Sequence, residues 1–419
     1  MKTVAIVGGG ASGLAAAIAA GEQARIAGKD LEIVVYERDE RVGRSILVTG
    51  NGRCNFSNTH LDLDQYENAD FVRQVYGHLD APGSAEPTRK VMDFLEGCGL
   101  EWREEADGRC FPLANKASVV VDVLRSAAAR LGVREKCGKG VKAVEAPREP
   151  GKRFTLRMED GAFERADAVV VACGGRALKS LEIAGLERER LRPVLGPLRV
   201  VDSDIPFVRE LDNIRVRCEV SLMREAEDGY DLIASEAGEL MFRKYGVSGI
   251  CVFNLSRVAQ PGDQLRIDLL HALGSENARD YLLARRASLV RRFGKRLTCE
   301  DVLRGLVLPR VADALLKRVG IDEGTTCDEG LTIELADLLS SCCLEVAGIG
   351  DADVCQVQRG GFSPRQFDPA SLQAESIPGL FACGEALDVD GPCGGYNLHW
   401  AWASGLIAGD AAAKRACRG

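Results

Sequence analysis

The chain begins with an apolar run, Val4-Ala5-Ile6-Val7, that breaks into Gly8-Gly9-Gly10-Ala11-Ser12-Gly13 and continues into an alanine-rich stretch from Leu14 to Ala20. No other segment restricts the fold as strongly. A short buried strand, a Gly-x-Gly-x-x-Gly turn and a helix form the first half of a parallel βαβ unit. The second strand, Leu31 to Tyr36, ends on Glu37, an acid about 20 residues beyond the turn, as a dinucleotide site requires. Gly8 makes the tight turn, Gly10 lets the backbone approach a pyrophosphate, and Gly13 lets the helix pack close to the sheet. The amides and positive end of the helix then face the phosphates, and Glu37 accepts hydrogen bonds from a ribose diol. The glycine spacing alone is weak evidence; with its strand, helix and acid it is strong.

Composition narrows the class. Of 419 residues 46% are apolar, enough for two or three domains with substantial cores. Lys and Arg number 54 against 62 Asp and Glu, giving a net charge of −8 and a pI near 5.4. With no evident Lys/Arg cluster interleaved with aromatics, the expectation is no nucleic-acid partner and no anionic membrane surface. The first strand starts too early for a leader to precede it, and no apolar stretch reaches the roughly 18 to 20 residues of a spanning helix. A cytoplasmic protein is expected. The fifteen cysteines are odd in number and contain no Cys-x-x-Cys. Buried thiols in a reducing compartment explain them better than disulfides or a metal site. Cys342-Cys343 reads as part of a helix.

After the second strand, Arg38 to Ser45 and Thr49 to Asn55 form two glycine-rich turns with basic and amide side chains, suggesting a loop that wraps a ligand. Residues 60 to 112 read as mostly helical, with Phe71, Val72, Val75 and then Val91, Phe94, Leu95 at helical spacing. Ser118 to Leu131 reads as an amphipathic helix. Val141–Val144 and Arg153–Met158 read as a hairpin, and Ala168–Ala172 as a buried parallel strand running into Cys173-Gly174-Gly175. That strand returns the chain to the nucleotide, so the first domain is discontinuous. Between 191 and 270, prolines and the alternation of Ile214 to Val220 indicate an antiparallel insert. Helices are expected over Ala278–Phe293, Cys299–Leu306, Pro309–Val319 and Thr332–Cys343. The last portion holds the strand before Gly384-Glu385 and a final helix from about Leu398 to Lys414.

Asp388-Val389-Asp390-Gly391-Pro392-Cys393-Gly394-Gly395-Tyr396-Asn397-Leu398 is a second glycine-rich loop entering a helix. If the dinucleotide is FAD, this helix start can lie over the pyrimidine edge of the isoalloxazine. A positive dipole there favours the reduced ring. Gly384-Glu385 fits a contact to the ribityl–pyrophosphate stretch. Simple helix capping by Gly-Gly-Tyr-Asn is the structural alternative.

These segments resemble the YhiN/BaiN-like family of bacterial FAD-dependent oxidoreductases, also described as aminoacetone oxidase-like flavoproteins, one branch of which is assigned to bile-acid dehydroxylation. The resemblance rests on GGGASGLAAA at 8–17, TGNGRCNFSN at 49–58, GRCFPLANKASVVVDVL at 108–124 and ACGG at 172–175. GELMFRKYGVSGICVFNLS at 238–256, GGF at 360–362 and GLFACGEALDVDGPCGGYNLHWAWASGLIAG at 379–409 complete it. It implies an α/β fold: a discontinuous Rossmann-like FAD-binding domain (1–190 and 354–419) with an inserted antiparallel β-barrel-like domain (191–270 and 344–353) that carries a helical subdomain (271–343). It also implies FAD, held by Gly8, Gly10, Ala11, Ser12, Gly13, Glu37, Arg38, Arg44, Ser45, Gly50, Gly52, Arg53, Cys54 and Asn55. Val141, Cys173, Gly174, Gly384, Glu385, Gly394, Gly395, Tyr396, Asn397 and Leu398 complete that set. No metal is implied. The chain departs from the family pattern after Gly175, where a segment is shortened, and His399 stands where Gln is common.

Catalytic candidates are fewer. Cys54 lies beside Arg53, which could activate its thiol; a packing thiol is the plainer account. His399 could exchange protons with a substrate, or lie on the helix surface against Trp400 or Trp402. Tyr245 is a candidate proton donor where the insert meets the flavin. The expected function is hydride transfer between flavin N5 and a small organic substrate held between the flavin domain and the insert. The resemblance favours NAD(P)H-linked reduction of an activated C=C, with an oxygen-using amine or aminoketone oxidase as the alternative and an RNA-binding flavoprotein as a different class. FAD fills the one complete Gly-x-Gly-x-x-Gly, so NAD(P)H must dock transiently or electrons must exchange with another partner.

Overall fold

The computed structural model describes residues 1–79, 89–147, 149, 152–273 and 277–418. A five-stranded sheet contains β1 (Lys2–Val7), β2 (Leu31–Tyr36), β3 (Arg134–Lys136), β4 (Ala168–Val171) and β5 (Leu380–Ala382), in the order β5-β4-β1-β2-β3. Every neighbouring pair is parallel. All of β4 and β5 and most of β1 are buried, as continuous apolar runs demand in a parallel sheet covered on both faces. From β1 the chain moves one way to β2 and β3, then crosses to the other side for β4 and β5. Such a reversal opens a crevice beyond the carboxyl ends of the strands. The segments that follow β1, β2, β4 and β5 all start at that end.

Two helices flank this crevice. α1 (Ala11–Ala27) begins three residues before the expected Leu14, and the C-terminal helix runs from Tyr396 to Arg418. They approach backbone to backbone: a Cβ on Gly405 would lie 2.5 Å from the Ser12 carbonyl oxygen, and one on Gly409 would strike that of Ala16. The alanines of α1 serve this contact, because larger side chains would hold the helices apart.

The chain divides into two compact units, residues 1–192 with 357–419, and residues 193–356. In the first unit the expected hairpin of Val141–Glu145 and Phe154–Met158 lies in a four-stranded sheet. Helices Ala69–Leu79 and Arg89–Gly97 carry the spaced apolar residues, but short strands Trp102–Glu104 and Arg109–Pro112 follow where helix was expected. Residues 80–88 of that span lie outside the described residues. Strands this short leave no readable alternation.

The second unit is a closed antiparallel barrel of Leu198–Val200, Gly246–Ser248, Gly229–Arg243, Arg215–Ala226, Gln264–Asp268 and Cys342–Ile349, in that spatial order. Helices Ala278–Phe293, Cys299–Leu303, Pro309–Arg318 and Glu329–Ser340 lie between the last two strands in sequence. Thr298 and Asp301 form a capping box at the second of these, and Asp328 caps the fourth by accepting from Leu331 N at 2.8 Å. One apolar core joins barrel residues Val220, Leu240 and Ile267 to helical residues Leu282, Val302, Leu315 and Leu335. The helices therefore share the barrel's core. Cys342 and Cys343 are on a strand, paired with Ile267 and Arg266, because the preceding helix stops at Ser340 and Ser341 leaves helical geometry. No cysteine of the fifteen is in a disulfide.

Candidate functional site

At the first turn, Gly10 precedes α1 without any side-chain cap, and the first helical turn carries no acid. Its first amides, including those of Ala11, Ser12 and Gly13, have no side-chain cap, the arrangement that suits an anion at a helix start. A Cβ on Gly13 would collide with the Gly8 carbonyl oxygen, so the tight turn requires glycine there. Glu37 spans the turn: Oε2 accepts from Gly9 N at 2.7 Å and Oε1 from Asp39 N at 2.9 Å. Each oxygen retains a second lone pair for a ligand hydroxyl. Gly43 N donates to Gly9 O at 2.8 Å and folds the next loop onto the turn. There Ser45 Oγ lies 3.2 Å from where a Cβ on Gly10 would be, and Arg44 pairs with Asp39 at 3.0 Å. Arg38 turns instead to Glu159 and Ser180. Val141 is buried at the start of its strand.

The loop through Gly50 and Gly52 uses left-handed backbone at Gly50 and Asn51. Arg53 then points away from it, bonding Asn115 Oδ1 at 2.6 Å and Glu105, with its guanidinium 4.1 Å from the Phe111 ring centroid. Cys54 is fully buried, and burial pushes its thiol up to about 12. The Arg53 cation is held by Glu105 and burial keeps the thiol protonated at neutral pH, so Cys54 reads as a packing thiol rather than an activated one. Asn55, with its amide oxygen toward Gly395, accepts from Gly395 N at 3.2 Å and donates to Ser57 O at 2.9 Å.

Asn55 introduces a set of ties invisible in the sequence. Asn58 Nδ2 donates to Gly394 O at 2.9 Å, Tyr66 Oη donates to Tyr396 O at 2.8 Å, and Trp402 Nε1 donates to Phe56 O at 3.0 Å. Gly395, at φ 103°, packs so close to the Ser57 carbonyl that no side chain fits. The Asn397 side chain closes its own loop, donating to Gly391 O at 2.8 Å and accepting from Gly391 N at 2.9 Å. The Asn397 side chain is thereby spent inside its own loop. His399 is enclosed, with Nδ1 2.8 Å from Ser57 Oγ and its ring stacked 5.7 Å from Tyr76. It is a core group, neither on the helix surface nor open to substrate.

Arg359, which the sequence did not single out, anchors the loop from beneath. Nε and a terminal nitrogen reach Asp390 at 2.6 and 3.0 Å, and the other terminal nitrogen reaches Glu67 at 3.1 Å. Arg359 and Asp390 are both buried. Asp388 accepts from Gly360 N at 2.7 Å, and Asn68 donates to the Asp388 carbonyl at 2.6 Å. The one sequence signal was the nearby GGF at 360–362.

At the remaining strand ends, Cys173 has its thiol pushed up to about 12 by burial, and above Gly174 no atom lies within 4 Å of a Cβ position. Gly384 N donates to Ser404 Oγ at 2.9 Å. Glu385 accepts from Gln358 N at 2.7 Å, and burial raises its carboxyl to about 7. Tyr245 is in the other compact unit, partly exposed, with a ring edge against Gly350. Burial raises its hydroxyl above the usual range. The uncapped helix start, the open space over Gly174 and the lone pairs of Glu37 fit an extended dinucleotide with two phosphates and a ribose diol.

The profile of the HI0933-like protein Rossmann domain matches residues 2–411. The chain is 34% identical over 435 aligned residues to a 3-dehydro-bile acid delta(4,6)-reductase of Clostridium scindens, covering 99% of this chain and 100% of that one. It is 26% identical to a ribosomal RNA dihydrouridine synthase of Escherichia coli, covering 95% of each. Among solved structures, a flavocytochrome c3 fumarate reductase in its open conformation aligns with TM-score 0.46 and 17% identity, over 99% of this chain and 79% of that one.

Proposed function

Because this chain belongs to the HI0933-like family of Rossmann proteins and is an FAD-dependent oxidoreductase, we propose that it reduces a C=C bond conjugated to a carbonyl in a small, flat organic substrate, with NAD(P)H as electron donor. The observation that carries this reading is the 34% identity, over 99% of this chain, to a protein named 3-dehydro-bile acid delta(4,6)-reductase. Bound FAD supplies two-electron hydride chemistry. The amides of Ala11, Ser12 and Gly13 would hold its pyrophosphate, Glu37 would accept from its ribose, and the backbone at Gly394–Leu398 would help to hold its ring. The loop Gly50–Asn55 and the segments at Gly174 and Glu385 would hold the stretch between. A conjugated carbonyl makes the far alkene carbon electrophilic, so hydride arrives there and a proton is needed at the neighbouring carbon. Of the three catalytic candidates, Cys54 and His399 are enclosed and do not serve as that donor.

The test is anaerobic. NADH or NADPH should bleach the yellow protein, and a 3-oxo-4,6-diene steroid should restore the colour while its own conjugated absorbance disappears. Bleaching by amines, with colour restored only by oxygen, would replace this reading with the oxidase.

A second reading has its own support. The rRNA dihydrouridine synthases of E. coli and Haemophilus influenzae cover 95% of this chain at 26% and 25% identity, and the 5,6-bond of uracil is also conjugated to a carbonyl. Dihydrouridine content of rRNA from cells with and without the gene separates the two substrates.

A further inference from the structure

We propose that the carboxyl end of the Ala278–Phe293 helix, with the Gly294–Arg296 segment after it, is a docking surface for RNA that presents unpaired bases. The inference goes beyond the reaction proposed above and holds whichever double bond is reduced. In a chain of net charge −8, residues 278–320 hold eleven Lys and Arg against four Asp and Glu. Acidic residues elsewhere outweigh this excess in the net charge, but Arg291-Arg292-Phe293-Gly294-Lys295-Arg296 corrects the expectation that no basic cluster is interleaved with an aromatic.

Within that excess, two groups of cations differ. Arg279 pairs with Asp337 at 2.6 Å, Arg285 donates to Val302 O at 2.9 Å, Arg286 donates to Cys327 O at 2.7 Å and Arg318 reaches Asp204 at 2.7 Å. These hold the helices together. Arg291, Arg292, Lys295 and Arg296 are exposed, and among the described residues none makes an ion pair or hydrogen bond. Between them stands Phe293, 68% exposed, with the Arg292 guanidinium 5.5 Å from its ring centroid. Attraction to the helix's negative end accounts for Arg291 and Arg292. It does not account for Lys295 and Arg296, which lie beyond the helix, or for an aromatic ring left in water.

RNA matches both halves of this surface. Cations without partners can replace the counterions of successive phosphates, and a flat ring beside a guanidinium stacks on a base that is not itself paired. An anionic membrane fits less well, because Ala278, Tyr281 and Leu282 of this helix pack on the core and leave one ring to enter the lipid, too little apolar area for interfacial binding.

The test uses the full-length, FAD-loaded protein and the fluorescence anisotropy of a labelled RNA stem-loop across a salt series. Binding should weaken steeply with salt, by a log–log slope of about −3 for four phosphates on a single strand. The combined change of Arg291, Arg292, Lys295 and Arg296 to Gln should flatten that slope and remove most of the binding. Phe293→Ala should weaken the stem-loop about ten-fold or more while leaving a fully paired duplex of equal length unaffected. FAD content and Tm equal to wild type establish that the variants fold. Arg292→Lys should keep the salt slope, since the charge remains. Unchanged RNA affinity in the four-fold variant, or wild type that binds phosphatidylserine vesicles but not RNA, overturns the proposal. Steroid reduction unchanged in the four-fold variant that has lost RNA supports a surface separate from the reaction, so loss of this proposal and loss of the proposed reaction are read independently.

Discussion

The turn at Gly8–Gly13 and the loop at Asp388–Leu398 both bring backbone amides to the start of a helix, but they are held in opposite ways. The first is fixed by neighbours: β1 before it, α1 after it, and Glu37 at the end of the adjacent strand. The second is fixed by residues from Asn55 to Asn68 and by Arg359 below. A local turn forms wherever its own sequence is intact. A loop tied to remote segments takes its shape only after the rest of the unit has assembled, so distant substitutions can move it.

The largest expected effect breaks the second loop alone. Arg359→Met leaves Asp390 buried without its cation, a loss of about 3–5 kcal/mol. Hydrogen exchange should then quicken across residues 388–398 while residues 8–14 remain protected to the wild-type degree. Equal loosening of both would mean that they are one cooperative element. The converse break is Gly13→Ala, whose methyl meets the Gly8 carbonyl at an expected cost of about 1–3 kcal/mol for overpacking. The purified variant should carry little flavin, with exchange at 388–398 nearly unchanged. A full complement of FAD would show that the turn tolerates the methyl.

A finer cut is Asn58→Ala, which removes the donor to Gly394 and also the acceptor of His60 N. The loss should be about 1–3 kcal/mol, the cost of leaving buried partners unsatisfied, read as a lower Tm and weaker FAD retention. An unchanged Tm would mean that water replaces the tie. The smallest effect is a slope with pH. Because burial raises Glu385 to about 7, the folded state holds a proton that the unfolded chain releases near the ordinary carboxylate value. That contribution is complete at low pH and is lost as pH rises toward 7. Apoprotein stability should therefore fall over that interval more in wild type than in Glu385→Gln; parallel curves would exclude Glu385 as the cause.

The contrast between the two loops also explains what the sequence made legible. The first turn could be read because its parts are adjacent, and the helices Ala278–Phe293 and Pro309–Arg318 because 3.6-residue periodicity or a leading proline marks them. Asn397 drew attention as a cofactor group, yet its side chain is spent on Gly391; nothing in a linear string distinguishes an amide that binds from one that braces. His399 was open to two readings for the same reason, since Ser57 and Tyr76 are brought to it by folding. Cys342-Cys343 passed for helix because an apolar run continues through Ser340, where the geometry changes from helix to strand. Arg359 was unreadable: a buried cation announces itself only through the acid folded against it.

The C-terminal helix meets α1 at Gly405 and Gly409, and β5 joins the sheet beside β4. Both pieces leave the ribosome after the barrel and its helices have been made. A growing chain thus carries the first half of its cofactor cradle for most of its synthesis with the alanine face of α1 uncovered. Domains generally fold as units during synthesis, but this one cannot close until its final helix has emerged. Capture of the cofactor therefore waits for the helix that begins at Tyr396, and a chain cut short before Tyr396 should emerge colourless.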